Sequence, residues 1–211
     1  MQLDPFSVFT IIALIFSIIV HEVAHGYAAF YLGDRTAKDA GRLTLNPLPH
    51  IDLFGSVIIP GILVLTNAGI MFGWAKPVPY NPYNLKNQRW GESIVSSAGV
   101  LVNLFLAVVF ALVARYTFDS VPDFAELAAA ISLTNLFLGM FNLIPIPPLD
   151  GFGILRGLIP PKYTLTIRAI EEKIQQNSII FLIIFLFVFT QFLSAPFSNF
   201  VISIFMFLLG Q

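Results

Sequence analysis

The stretch "IIALIFSIIVHEVAHGYAAFYLG", residues 11–33, decides the fold. It reads as one apolar helix, yet His21, Glu22 and His25 interrupt it. A charged side chain near mid-bilayer costs about 2.5–3.5 kcal/mol on the mildest scale, so these groups need a protein or water-filled interior to face. Positions 21 and 25 are one helical turn apart on the same face, and both imidazoles can reach one ion. Glu22 lies about 100° round the helix from His21, close enough to meet a water at that ion. The spelling fits H-E-x-x-H on a helix. In that arrangement neutral imidazoles hold zinc, and Glu22 takes a proton from the attacking water and returns it to the leaving amine. A chance match is the alternative, and the apolar setting of the motif argues against it.

The rest of the chain fits this setting. Of its 211 residues, 57% are hydrophobic and 11% charged, against about 25% charged in a soluble domain. Mean hydropathy is +0.83. Apolar blocks at about 6–31, 53–72, 93–115, 125–148 and 178–210 predict an all-α polytopic membrane protein. A net charge of −1 gives no basic field for nucleic acid, and the absence of cysteine excludes disulfides and thiolate metal sites. The N-terminal "MQLDPF" has no Lys or Arg, and no small-residue cleavage site follows the first block, which is read as a retained helix. No polar segment is long enough for a second domain. The expectation is one membrane-embedded domain over 1–211, with a core at about 6–160 and C-terminal membrane segments at about 178–210. Pro196 in "LSAPFSN" (193–199) predicts a break there, with a span over 178–193 and a short second span or interfacial piece over 197–210.

The basic residues suggest a topology. Arg35, Lys38 and Arg42, then Lys76, Lys86 and Arg89, then Arg156, Lys162, Arg168 and Lys173 fall in three polar segments. The positive-inside rule puts all three on the cytoplasmic side. Simple alternation of five spans cannot do this, but a re-entrant block 53–72, with Gly55, Pro60, Gly61 and Gly69, can. The flanking stretches 41–57 and 73–84, the latter rich in proline, predict short strands at the membrane surface.

A catalytic zinc site normally has three protein ligands. The third is His50 or a carboxylate, and Asp150 in "FNLIPIPPLDGFGILRG" (141–157) is the carboxylate candidate. It follows Pro145, Pro147 and Pro148, which force the backbone out of helix at the end of an apolar block. Its alternative role is a helix cap for 151–159. His21 and Asp150 each lie at the far end of an apolar block, so they can meet only if the two helices run in the same direction. The re-entrant topology gives that arrangement and gathers the site toward the cytoplasmic side.

"HEVAH" together with "NLIPIPPLDG" (142–151) resembles the site-2 protease family of intramembrane zinc metalloproteases, whose pattern is H-E-x-x-H plus N-x-x-P-x-P-x-L-D-G. Asn142, Pro145, Pro147, Leu149, Asp150 and Gly151 match without a gap, and "SSAGVLVNLF" (96–105), with Gly99 and Asn103, is similar to the family's central helix. "GRLTLNPLPHID" and "FGWAKPVP" resemble a compact prokaryotic branch without a PDZ domain. The resemblance implies three membrane helices around one zinc per chain, ligated by His21, His25 and Asp150. It implies Glu22 as general base and Asn142 holding the substrate carbonyl or its oxyanion. Substrates would be transmembrane proteins cut within or beside the bilayer of the cytoplasmic membrane. The chain has no room for a regulatory domain, so gating falls to the embedded part or to a membrane partner. A strand edge formed by 41–57 with 73–84 is one route for an unwound substrate to bind. His50 is either an interfacial polar residue or an aid to substrate binding. The alternative function is a metal-ion transporter or metal-binding membrane protein using the same His/Asp cluster. Against it, the polar residues converge at one depth rather than along a path.

Overall fold

The computed structural model describes residues 4–58, 62, 75–87, 90–160 and 163–211, and among them the secondary structure is helical, with no strand. The first helix, α1 (Pro5–Tyr31), starts where Asp4 caps it, its carboxylate accepting from the Ser7 amide at 2.8 Å, with Pro5 pre-set for the first turn. Then come α2 (Gly91–Thr117), α3 (Pro122–Asn142), α4 (Asp150–Leu158), α5 (Thr164–Gln176), α6 (Ser178–Val188) and α7 (Ser194–Leu209). Among the described residues, four helical stretches are long and apolar enough to cross a membrane: α1, α2, α3 and Ile183–Leu209. The protein is a multi-pass membrane protein. The outward faces carry large apolar groups such as Ile11, Ile15 and Phe16 on α1 and Leu101 and Phe105 on α2, as lipid-facing surfaces do.

The last span differs from expectation. The chain stays helical from Ser178 through Leu209, and the break expected at Pro196 does not occur. A π-helical turn, Phe189–Leu193, precedes the proline and shifts the hydrogen-bond register where Pro196 cannot donate. The hydroxyls of Thr190 and Ser194 each donate to a carbonyl four residues back, at 2.8 Å.

α2 is the central helix. Its contacts with α1 pair Val95 with His25 and Asn103 with His21, so these two helices are antiparallel. On its other side the Ser132 hydroxyl of α3 donates to the Ala107 carbonyl at 2.7 Å, and Gly139 faces Leu104. α3 is therefore also antiparallel to α2, and α1 and α3 run in the same direction, as the ligand argument required. Asn135 of α3 donates to the Ser17 hydroxyl of α1 at 2.9 Å. Small side chains allow this close approach: Ala107 and Ala111 of α2 are fully buried. In a bilayer such packing and interhelical hydrogen bonds, about 0.6 kcal/mol each, hold helices together.

Between α1 and α2 the chain forms a strap over one end of the bundle. Lys86 donates its amide to the Leu32 carbonyl at 2.8 Å, so the chain leaves α1 and approaches α2 at the same end. The block expected to be re-entrant, 53–72, lies mostly outside the described residues; Leu53–Ile58 of it forms a π-helical turn. The strands expected in 41–57 and 73–84 do not form among the described residues. The backbone is committed elsewhere. Pro77 and Pro79 have no amide to give, while the amides of Lys76, Val78 and Asn81 bond to the His50 carbonyl, Glu22 and Asp34 at 2.9, 2.8 and 2.7 Å. Little of that backbone is left for a ladder.

Asp34 anchors the strap. It is fully buried and accepts from the Thr36 hydroxyl at 2.6 Å and the Asn84 side chain at 2.8 Å as well as from Asn81. Burial raises its pKa, but the hydrogen bonds from Thr36, Asn84 and Asn81 outweigh that and hold the carboxyl below its usual range. A depressed folded value stabilises the fold above the unfolded value, about 3.9, and that contribution disappears as pH falls through the folded value. Asp34→Ala is expected to cost about 1–3 kcal/mol at pH 7, since it strands buried donors. Thermal unfolding in detergent should show the gap between wild type and variant narrowing below about pH 4. A gap as large at pH 3 as at pH 7 would contradict this.

Candidate metal centre

His21 and His25 point from α1 into the bundle and are 5% and 9% exposed. Asp150 reaches them from the first residue of α4. After α3 the prolines at 145, 147 and 148 end the helix, and the turn closes through hydrogen bonds from the Ile146 amide to the Ile144 carbonyl and from the Leu149 amide to the Ile146 carbonyl, at 2.8 and 2.9 Å. Gly151 lies so close to the Leu143 carbonyl oxygen that any Cβ would overlap it, which is why glycine follows the aspartate.

Three donor atoms form a triangle. Asp150 Oδ2 is 3.0 Å from His21 Nε2 and 3.3 Å from His25 Nε2, and the two Nε2 atoms are 3.1 Å apart. Lewis-basic atoms converge this closely only when they share a proton or a cation. Tetrahedral zinc with bonds of about 2.0–2.1 Å needs donors about 3.3 Å apart, close to these edges, and two imidazoles with a carboxylate form a catalytic zinc donor set. The residues fit the metal.

α2 supplies no donor to the triangle but touches both imidazoles. His25 Nδ1 donates to the Val95 carbonyl at 2.7 Å, which leaves the Nε2 lone pair facing the triangle. The Asn103 amide, fully buried, lies 3.1 Å from His21 Nδ1. Between them Gly99 gives the rings room: a Cβ there would sit 2.5 Å from His25 Nε2 and 2.7 Å from His21 Cε1. α2 also grips the helix that carries Asp150. The Ser93 hydroxyl donates to the Gly153 and Ile154 carbonyls at 3.3 and 3.0 Å.

The other expected residues lie outside the triangle. The Glu22 carboxylate accepts from the Val78 amide at 2.8 Å, tying it to the strap. Asn142 donates to the Leu138 carbonyl of its own helix at 2.9 Å. His50 is 2% exposed and bonds through Nε2 to the Thr44 carbonyl at 2.9 Å. Of the two candidates for a third donor, Asp150 is the one brought to the imidazoles. Sequence reasoning missed Val95, Ser93 and Val78. Val95 and Val78 act through the backbone, which leaves no side-chain signal, and Ser93 is an ordinary serine in an apolar run.

The model of peptidase family M50 matches residues 118–189. The chain is 40% identical over 190 residues to "Putative zinc metalloprotease YwhC" of Bacillus subtilis, covering 84% of this chain and 80% of that protein. It is 32% identical over 175 residues to "Putative zinc metalloprotease Rip2" of Mycolicibacterium smegmatis, covering 80% of this chain and 62% of that one. It is 30% identical over 152 residues to "Zinc metalloprotease MJ0392" of Methanocaldococcus jannaschii, covering 72% of this chain and 34% of that longer protein. No solved structure gives a match. The chain belongs to peptidase family M50, the site-2 proteases. Membership of a peptidase family disfavours the metal-transporter alternative.

The crowding at position 99 gives a direct test. Gly99→Ala should push both imidazoles aside, leave the helical circular-dichroism spectrum unchanged, and lower zinc retained after purification at least about tenfold. Wild-type zinc content in that variant would contradict the packing described.

Proposed function

We propose that this chain is an intramembrane zinc metalloprotease that hydrolyses peptide bonds of transmembrane protein substrates within or beside the bilayer. One zinc per chain is held by His21, His25 and Asp150. The observation that carries the proposal is the buried triangle of two Nε2 atoms and one carboxylate oxygen, with edges of 3.0, 3.1 and 3.3 Å. Membership of peptidase family M50 supports it. When bound, zinc supplies a Lewis acid that makes water nucleophilic at neutral pH and polarises the scissile carbonyl.

The chain's own residues do the rest. Glu22 takes the proton from the attacking water and returns it to the leaving amine nitrogen. Its bond to the Val78 amide holds the carboxylate at the edge of the site. Asn142 rotates away from the Leu138 carbonyl and donates to the substrate carbonyl as negative charge grows on it. The apolar walls of α1, α2 and α3 keep bulk water out, so each of these polar contacts is worth more than it would be in water.

The active site lies toward the cytoplasmic face of the cell membrane. The three basic segments support that orientation. The meeting of the α1 and α2 ends supports a block 53–72 that does not cross singly, as in a re-entrant segment. Residues 1–211 act as one membrane-embedded unit. Glu22→Gln should keep its zinc and lose about 10²–10⁴-fold in cleavage rate on single-span substrates in vesicles. Cleavage near the wild-type rate with zinc retained would refute the assignment of Glu22.

A further inference from the structure

Asn103 is a fully buried polar side chain in a helix that supplies no donor to the triangle. Among the described residues its Nδ2 lies 3.1 Å from His21 Nδ1, while its Oδ1 is buried without a partner. Burying an amide inside a membrane bundle is costly unless the group is used. What His21 requires says how it is used.

An imidazole that binds a metal through Nε2 must carry its proton on Nδ1, and that proton needs an acceptor. His25 meets this requirement with the Val95 carbonyl. Position 103 stands two turns further along the same face of α2, where the partner of His21 must be. Here the group that reaches Nδ1 is the Asn103 side chain, so that side chain has to provide the oxygen. An asparagine amide carries a donor at one end and an acceptor at the other, and a half-turn about Cβ–Cγ exchanges them without changing its shape. With Nδ2 toward His21, the imidazole would hold its proton on Nε2 and aim an N–H at Asp150 and the cation. With Oδ1 toward His21, the lone pair of Nε2 faces the triangle, as that of His25 already does.

We propose that Asn103 is a positioning residue for the metal: its amide oxygen accepts the Nδ1 proton of His21 and fixes the Nε2 lone pair on the zinc. This rests on the assignment of zinc to His21, His25 and Asp150. α2 then orients both histidine ligands, one through a backbone carbonyl and one through a side-chain amide, with Gly99 between them. A packing role alone would be met equally well by leucine, which has nearly the same size and shape. A hydrogen-bonding role is met by aspartate, which keeps an oxygen at the same place.

The test is zinc affinity of the full chain in detergent, measured by competition with a chelator, with metal-free melting recorded for each variant. Asn103→Leu should weaken zinc binding about 10–100-fold, and Asn103→Asp should stay within about threefold of wild type. Asn103→Ala, which opens space rather than filling it, should weaken binding like the leucine variant and serves if that one does not fold. Wild-type affinity in the leucine or alanine variant would overturn the inference, as would an aspartate variant as weak as leucine. His21→Ala separates the two levels of the argument. If it binds zinc as the wild type does, the metal assignment itself fails and the role of Asn103 fails with it.

Discussion

A bilayer interior offers no hydrogen-bond partners, so the imidazoles of His21 and His25 can exist at their depth only where neighbouring helices supply them. α2 is that neighbour. It gives a carbonyl from Val95, an amide from Asn103, and empty space at Gly99. The rest of the bundle follows from the need to bring α2 this close. Ala107 and Ala111 let α3 approach on the other side, where Ser132 donates to the Ala107 carbonyl, and Asn135 of α3 donates to Ser17 of α1. α4 must then dock on α2 for Asp150 to reach the rings, and Ser93 holds it there.

Much of this was legible in the sequence because the constraints on it are one-dimensional. Two histidines four residues apart share a helix face whatever the tertiary fold. Three prolines before an aspartate end a helix whatever surrounds them. The common direction of α1 and α3 followed from requiring His21 and Asp150 to lie at the same depth, and the contacts of α2 with both helices have that sense. His50 was left open as a ligand because only distance in space could decide it. Its ring turns to the Thr44 carbonyl instead.

The misreadings have physical causes too. Pro196 removes one hydrogen-bond donor, but the π-helical turn before it absorbs the fault, and helix propensity alone does not foresee that register shift. The expected strands were an inference from alternation and proline content. The described backbone of 75–81 is instead drawn into bonds with Glu22, the His50 carbonyl and Asp34, which are far away in sequence. This strap matters to the chemistry. It carries the amide that holds Glu22, and it is fastened by the buried Asp34 and by Arg42, whose guanidinium donates to the Lys76 carbonyl at 2.7 Å. Arg156 of α4 pairs with Glu92 of α2 and Glu171 of α5, which ties these three helices together. Charged networks at the end of the bundle thus set the position of polar groups within it.

Zinc held by two imidazoles and one carboxylate can be read from X-ray absorption at the zinc edge of the purified protein. Two histidine nitrogens and a carboxylate oxygen at about 2.0–2.2 Å are expected. A spectrum that requires three imidazoles would bring in His50 and contradict the site described.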